Sequence, residues 1–499
     1  MKKSIILFIS TLFLTSCSGL FPNSSSSSFE ENMDNYYLAD NVKYTLKDIN
    51  QISGWHTSTS TGDQKFLIVP VVLNNCQTNY PWTDTKLNNI KKVFFDREND
   101  SSLGFESVSS YFYKSSYGKL NITGEVTSPF VSNYTTTELN RMSTNSAGAV
   151  INEWYQSNNA NSELLSKYDL DNDGRVDNCI FVYSNNYESG NNSAFWAWCS
   201  DVNLSKKDYN TPSIGNYMWV SYDFVDDKYL DFYNYNKLDT HTFVHESGHL
   251  LGLNDYYCYD TENTWDPAGV LDMQSYNVGD HNAYSKLSLG WINPYVVTGD
   301  SVIKLKTSSK YPEAILINNK WNGSIFDEYL LIEYYTPTNL NEQDSKHNFN
   351  GRGKMYSYKG LRIYHVDARL VETSINSITR TFNKSSNYTE TLYNDYVNNK
   401  FSIIGASNSV TRSYLQDYSN TFRQLHLLDQ GEKNFLPSNN RVGNINPSSA
   451  LWTNKTFTPN NKFFQFSDRF NNKSKIGYEI SVRNLTTEDC EVVIKKINN

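Results

Sequence analysis

Six cysteines in 499 residues are too few to staple a fold together, so stability has to come from an apolar core. One of them, Cys17, ends an N-terminal apolar run. The other five, Cys76, Cys179, Cys199, Cys258 and Cys490, are odd in number and show no diagnostic spacing; Cys179 with Cys199 is one candidate pair. Positive charge is also in short supply. With 44 Lys and Arg against 53 Asp and Glu the formal charge is −9, which argues against a nucleic-acid partner. Beyond the N-terminus no stretch is apolar enough for a transmembrane helix. Alanine is sparse while tyrosine (37), threonine, valine and isoleucine are frequent, a bias toward strands. The length allows two or three domains with a substantial core.

The N-terminus reads as a targeting segment. Lys2 and Lys3 precede Ile5 to Leu14, an apolar run too short to remain as a span. Leu14-Thr15-Ser16-Cys17 resembles the lipobox of bacterial lipoproteins. That resemblance implies a signal peptide over 1–16, a diacylated Cys17, and a location on the extracytoplasmic side of the cell membrane, held there by a lipid anchor. Residues 17–60, with Pro22 and Ser24 to Ser28, read as a flexible tether or short propeptide.

The most informative stretch is His241-Thr-Phe-Val-His245-Glu246-Ser-Gly-His249-Leu-Leu-Gly252-Leu-Asn-Asp255. Residues four apart on a helix share a face, so His245 and His249 can share one cation, and imidazole suits zinc. Glu246 projects toward the same side and can take a proton from a metal-bound water. Phe243, Val244, Leu250 and Leu251 fall on the opposite face and should pack. Asp239 or Thr240 is the expected N-cap, and Gly252 the stop. A bare H-E-x-x-H recurs by chance, but H-x-x-G-x-x-D extends it, and Asp255 becomes the third ligand beside one open position. His241 cannot reach the same ion and is expected on the cleft wall or behind a ligand.

HESGHLLGLNDYY, followed by Leu271-Asp-Met273-Gln and by Asp280-His-Asn-Ala-Tyr-Ser-Lys286-Leu-Ser-Leu-Gly-Trp291, resembles the immune inhibitor A family of secreted bacterial zinc metallopeptidases, over roughly residues 65 to 370. The resemblance implies a metzincin-like zincin: an α+β catalytic domain with a mixed sheet and an active-site helix, over 61–295. It makes Met273 the methionine of a turn beneath the metal, a hydrophobic floor and not a ligand. Tyr276, three residues on instead of two, and His281 are candidates for contacting the transition state or the substrate. An edge strand above the cleft, somewhere in 185–240, would pair with an extended substrate.

Asp169-Leu-Asp171-Asn-Asp173-Gly174-Arg175-Val176-Asp177 puts oxygens at alternate positions with glycine at the sixth, a pattern for a hard cation. Asp169, Asp171, Asp173 and Asp177 would supply side chains and Arg175 its carbonyl to a structural Ca2+. Ile180 stands where an EF-hand needs glutamate, so the loop should run into a strand. From 296 to 499, short strand-like runs including 328–333 and 361–367 suggest a β-rich, sandwich-like region. His365 and Asp367 within it read as structural. The expected protein is a monomeric zinc endopeptidase acting on protein or peptide substrates. The competing readings are an inactive surface-binding lipoprotein on the same scaffold and a zinc hydrolase of non-peptide bonds.

Overall fold

A computed structural model of the chain describes residues 33–40, 42–48, 57–98, 100–187, 192–226, 237–259, 267–269, 272–275, 277–347, 354–372, 374–375, 382–383, 402–409, 423–431 and 449–498. Cys17, the 1–16 signal segment and Tyr276 lie outside these residues.

Strand β2 (Gly62–Val72) shows why the first sheet is central. Its apolar run has no polar alternation because both faces are covered. Phe66 and Ile68 face helices α1 (Asp84–Phe95) and α2 (Val108–Ser115), joining Ile90, Phe94, Val108 and Phe112. Leu67, Val69 and Val71 point the other way, against Val150, Ile151 and Trp154 of α3 (Ser146–Gln156). With β3 (Leu120–Val126), β4 (Cys179–Tyr183), β5 (Trp198–Asp201) and β6 (Asn216–Ser221), the sheet order is β3-β2-β4-β6-β5. The first four run parallel; β5 is an antiparallel edge. Helix α4 (His241–Leu250) packs against β6 and β5.

The second sheet comprises β1 (Asp34–Leu38), β7 (Tyr295–Lys306), β8 (Ile315–Ile317), β9 (Glu328–Tyr335), β10 (Gly360–Asp367), β11 (Leu425–Leu427), β12 (Tyr478–Arg483) and β13 (Asp489–Lys496). Its order is β11-β10-β9-β8-β7-β13-β12, with β1 also on β7. Only the β7–β8 pair is parallel. The whole is a mixed α+β protein. Among the described residues no sandwich of two sheets forms: β9 and β10 are buried along their full length. Leu331, Tyr335, Tyr364 and Val366 join the core that also holds Phe243 and Leu250 of α4. Leu330, Ile332, Leu361 and Ile363 meet Trp452, Phe457, Phe463, Phe464 and Phe470. Among the described residues, that covering layer is irregular chain, with aromatic rings in place of a second sheet.

Two other expectations change. Part of the segment read as a tether is built in: Tyr36, Tyr37 and Leu38 pair with Val297, Val296 and Tyr295, backbone partners some 260 residues distant that local composition does not encode. None of the five described cysteines is in a disulfide, so Cys179 and Cys199 are not joined.

The two sheets also share a buried charge. Lys286 Nζ lies 2.5 Å from Asp280 Oδ2, 3.0 Å from Tyr117 Oη and 3.2 Å from the carbonyl of Ser308, which follows β7. Burial pulls this ammonium toward neutrality, but the Asp280 carboxylate outweighs it and the lysine is held charged. Asp280 Oδ1 also accepts from Ser115 Oγ at 2.6 Å, so the pair has the extra partners that a buried ion pair requires.

Candidate metal centre

Helix α4 begins where Asp239 Oδ1 accepts from the His241 N–H at 2.8 Å; Thr240 makes no side-chain cap. It ends in a Schellman motif. Leu253 N–H donates to Gly248 O at 3.1 Å and Gly252 N–H to His249 O at 2.9 Å. Gly252 has φ +99°, a conformation that side-chain-bearing residues resist, and the reversal carries the chain back over the helix. Phe243, Val244, Leu250 and Leu251 are buried as their spacing predicts.

Asp255 thereby meets both histidines. Its Oδ1 stands 3.0 Å from His245 Nε2 and 3.3 Å from His249 Nε2, and the two Nε2 atoms are 3.2 Å apart. Four ligands arranged tetrahedrally at zinc bond lengths of ~2.0–2.1 Å stand about 3.3–3.4 Å from one another. The three measured edges come close to that figure. The opposite nitrogens are occupied: His245 Nδ1 donates to the carbonyl of Met273 and His249 Nδ1 to that of Leu253, each at 2.7 Å. These carbonyls put the proton on Nδ1 and turn the Nε2 lone pairs toward Asp255. Two lone pairs and a carboxylate oxygen crowded in a buried space would repel one another, and a dication would satisfy all three. The donor set, two nitrogens and one oxygen, fits zinc.

Without a cation, protons compensate. Burial pulls His249 down, but the Asp255 carboxylate overrides it and brings the imidazole to about 10. His245 is raised by the same carboxylate against burial. Burial pushes Asp255 up, yet the two imidazoles hold it well below the usual carboxylate range. Glu246 is different: burial raises it, and the imidazoles only partly offset that. Its carboxylate offers an oxygen within 4.8 Å of both histidine ligand atoms, and its Oε2 is buried without a hydrogen-bond partner.

The surroundings include residues that sequence reasoning did not single out. Gln274 donates to the His245 carbonyl at 3.1 Å and lies against Gly248, where any Cβ would sit 2.2 Å from its Oε1. Cys199, on edge strand β5, donates its thiol to the Glu246 carbonyl at 3.1 Å. Tyr259 donates its hydroxyl to Asp255 Oδ2. Met273 is fully buried as expected, but its closest tie to the site is its backbone carbonyl, which no side-chain pattern announces. His281 does not reach the cleft. It is buried among Tyr111, Phe112 and Trp291, with Nδ1 3.4 Å from Asp272 Oδ1, because Asp272 also binds the N–H groups of Gln274 and Asn282 and folds the turn inward. His241 stands one turn before His245, with ring centroids 6.1 Å apart, and stays outside the ligand set.

The acidic loop folds as a tight turn before β4. Asp169, Asp171 and Asp173 bring carboxylate oxygens within 4.8 Å of one another. Asn172 (φ 57°) and Gly174 (φ 84°) supply the bend. Asp177 stands apart from that group, accepting from Leu170 N–H at 2.8 Å, and burial raises it to about 6. The Arg175 side chain reaches Asp201 of β5 at 3.6 Å, so the loop braces the edge strand. Ile180 is buried within β4, as the departure from the EF-hand pattern implied.

Comparison with known protein families finds none that matches this chain, and no curated protein matches it.

Proposed function

We propose that the chain is a zinc-dependent endopeptidase of zincin architecture, akin to the immune inhibitor A family. The observation that carries this reading is the convergence of His245 Nε2, His249 Nε2 and Asp255 Oδ1 at 3.0–3.3 Å, with Glu246 alongside. These three residues would hold zinc. When bound, the ion would polarise the scissile carbonyl and acidify the attacking water. Glu246 then accepts one proton from that water as its oxygen attacks the carbonyl carbon. It returns the proton to the amide nitrogen as the C–N bond breaks, giving a carboxylic acid and an amine. The β5 edge offers backbone groups with which an extended peptide can pair, supporting a protein or peptide substrate. Among the described residues no helix is long and apolar enough to cross a membrane. Anchoring of a monomer through a lipidated Cys17, on the extracytoplasmic side, completes the proposal. The 169–177 loop is assigned a structural Ca2+, for which calcium-dependent thermal protection of the full chain is the check.

The test is Glu246→Gln. Zinc content should stay at the wild-type level while cleavage of an unstructured protein such as casein falls by at least ~10²–10⁴-fold. Unchanged cleavage would remove Glu246 from the chemistry. Chelator-insensitive cleavage by the wild-type chain would remove the metal. A chain that binds zinc but cuts esters or glycans and no peptide would replace the substrate class.

A further inference from the structure

Asp255 has two oxygens with different surroundings. Oδ1 faces the imidazoles at 3.0 and 3.3 Å. Oδ2 accepts the hydroxyl of Tyr259, four residues further along an irregular loop. The loop is fastened at both ends of this short stretch by distant chain. Tyr256 N–H donates to the carbonyl of Gln274 at 2.9 Å, beside the Met273 turn. On the other side, the carboxamide of Asn408, wholly buried, donates to Tyr256 O at 3.1 Å, and Tyr259 N–H donates to Ser409 O at 3.2 Å. Asn408 is itself held by β11. Its Nδ2 donates to Leu425 O at 2.9 Å, and its Oδ1 accepts from Leu425 N–H at 3.1 Å.

From this geometry we propose that Tyr259 is a positioning residue for the third metal ligand, and that the 407–409 segment of the C-terminal region sets its place. The proposal rests on the zinc reading given above. A carboxylate with both oxygens available can close on a cation through both, taking up the coordination position that substrate water needs. A phenol hydroxyl on Oδ2 keeps that oxygen occupied and leaves Oδ1 as the single donor. Partners that orient a ligand in this way contribute as much as ~10–100-fold to metal affinity. The C-terminal region thus acquires a role at the metal centre: its buried asparagine holds the backbone from which Tyr259 reaches the ligand.

The decisive experiment compares the full chain with Tyr259→Phe and Asn408→Ala by competition for zinc with a chromophoric chelator, and records the visible spectrum of each with cobalt in place of zinc. Tyr259 is 44 % exposed, so Tyr259→Phe removes one hydroxyl with little effect on packing, and its metal-free Tm should fall by no more than a few degrees. Zinc affinity of Tyr259→Phe should fall ~10–100-fold, and its cobalt spectrum should change in intensity as the coordination number rises. Asn408→Ala should weaken zinc binding in the same direction, measured well below its own Tm. Affinity for Tyr259→Phe within twofold of wild type, with an unchanged cobalt spectrum, would overturn the positioning role while leaving the metal site intact. A wild-type chain that takes up no zinc would overturn both readings together.

Discussion

Gly248→Ala is a sharp probe of how α4 is seated. In an exposed helix this change stabilises by ~1 kcal/mol, because alanine loses less backbone freedom than glycine. At this position an added Cβ would lie 2.2 Å from Gln274 Oε1 and 2.7 Å from its Cδ. A flexible side chain would ordinarily swing away, but Gln274 is fully buried and bonds to the His245 carbonyl at 3.1 Å. Overpacking costs ~1–3 kcal/mol, and losing the buried amide bond adds ~1 kcal/mol. Set against the propensity gain, the expected result is a net loss of ~1–3 kcal/mol. Gln274 Nε2 is also 3.4 Å from His249 Nδ1, so its displacement should loosen that imidazole as well. Thermal unfolding and zinc competition on Gly248→Ala, Gln274→Ala and the double variant give the full cycle. The double variant should recover stability relative to Gly248→Ala, with a coupling of ~1 kcal/mol or more. A Gly248→Ala chain as stable as wild type, or more so, would refute the packing reasoning.

Lys286→Met should cost ~3–5 kcal/mol in thermal or denaturant unfolding, since it strands the buried Asp280 carboxylate; adding Asp280→Asn should restore part of the loss. An effect below ~1 kcal/mol would mean that water reaches the pair. Zinc binding should be pH-dependent with a defined sign. Folded His249 stands at about 10 against an ordinary 6.5, so the metal-free stability this group contributes is complete below 6.5 and is lost as pH rises toward 10. Zinc displaces the same protons, so its apparent affinity should rise through that window, with proton release on binding. Competition titrations at several pH values that give a flat affinity would contradict this.

What could be read from the chain followed from local physics. The acidic loop runs into a strand, Cys179–Tyr183, as the missing EF-hand glutamate implied. The helix that positions His245 and His249 was legible because spacing, an apolar face and Gly252 all agree. Asp255 was legible because it lies a fixed number of residues beyond a turn. What escaped depends on distant contacts or on backbone atoms. Tyr36 to Leu38 read as tether or short propeptide because nothing nearby names Tyr295 to Val297 as a partner. His281 looked available for catalysis because a buried histidine and an exposed one are written with the same letter. The Met273 and Leu253 carbonyls, which fix the imidazole tautomers, leave no trace in side-chain pattern. Tyr259 sits on a loop without periodicity, so its approach to Asp255 emerges only once Ser409 and Asn408 are in place.

The central claim is that His245, His249 and Asp255 form one zinc site. It is tested most directly by elemental analysis of the dialysed full chain beside His249→Ala. The expected result is one zinc per wild-type chain and loss of that zinc in the variant. A wild-type chain without zinc, or a variant that retains it at full occupancy, would contradict the claim.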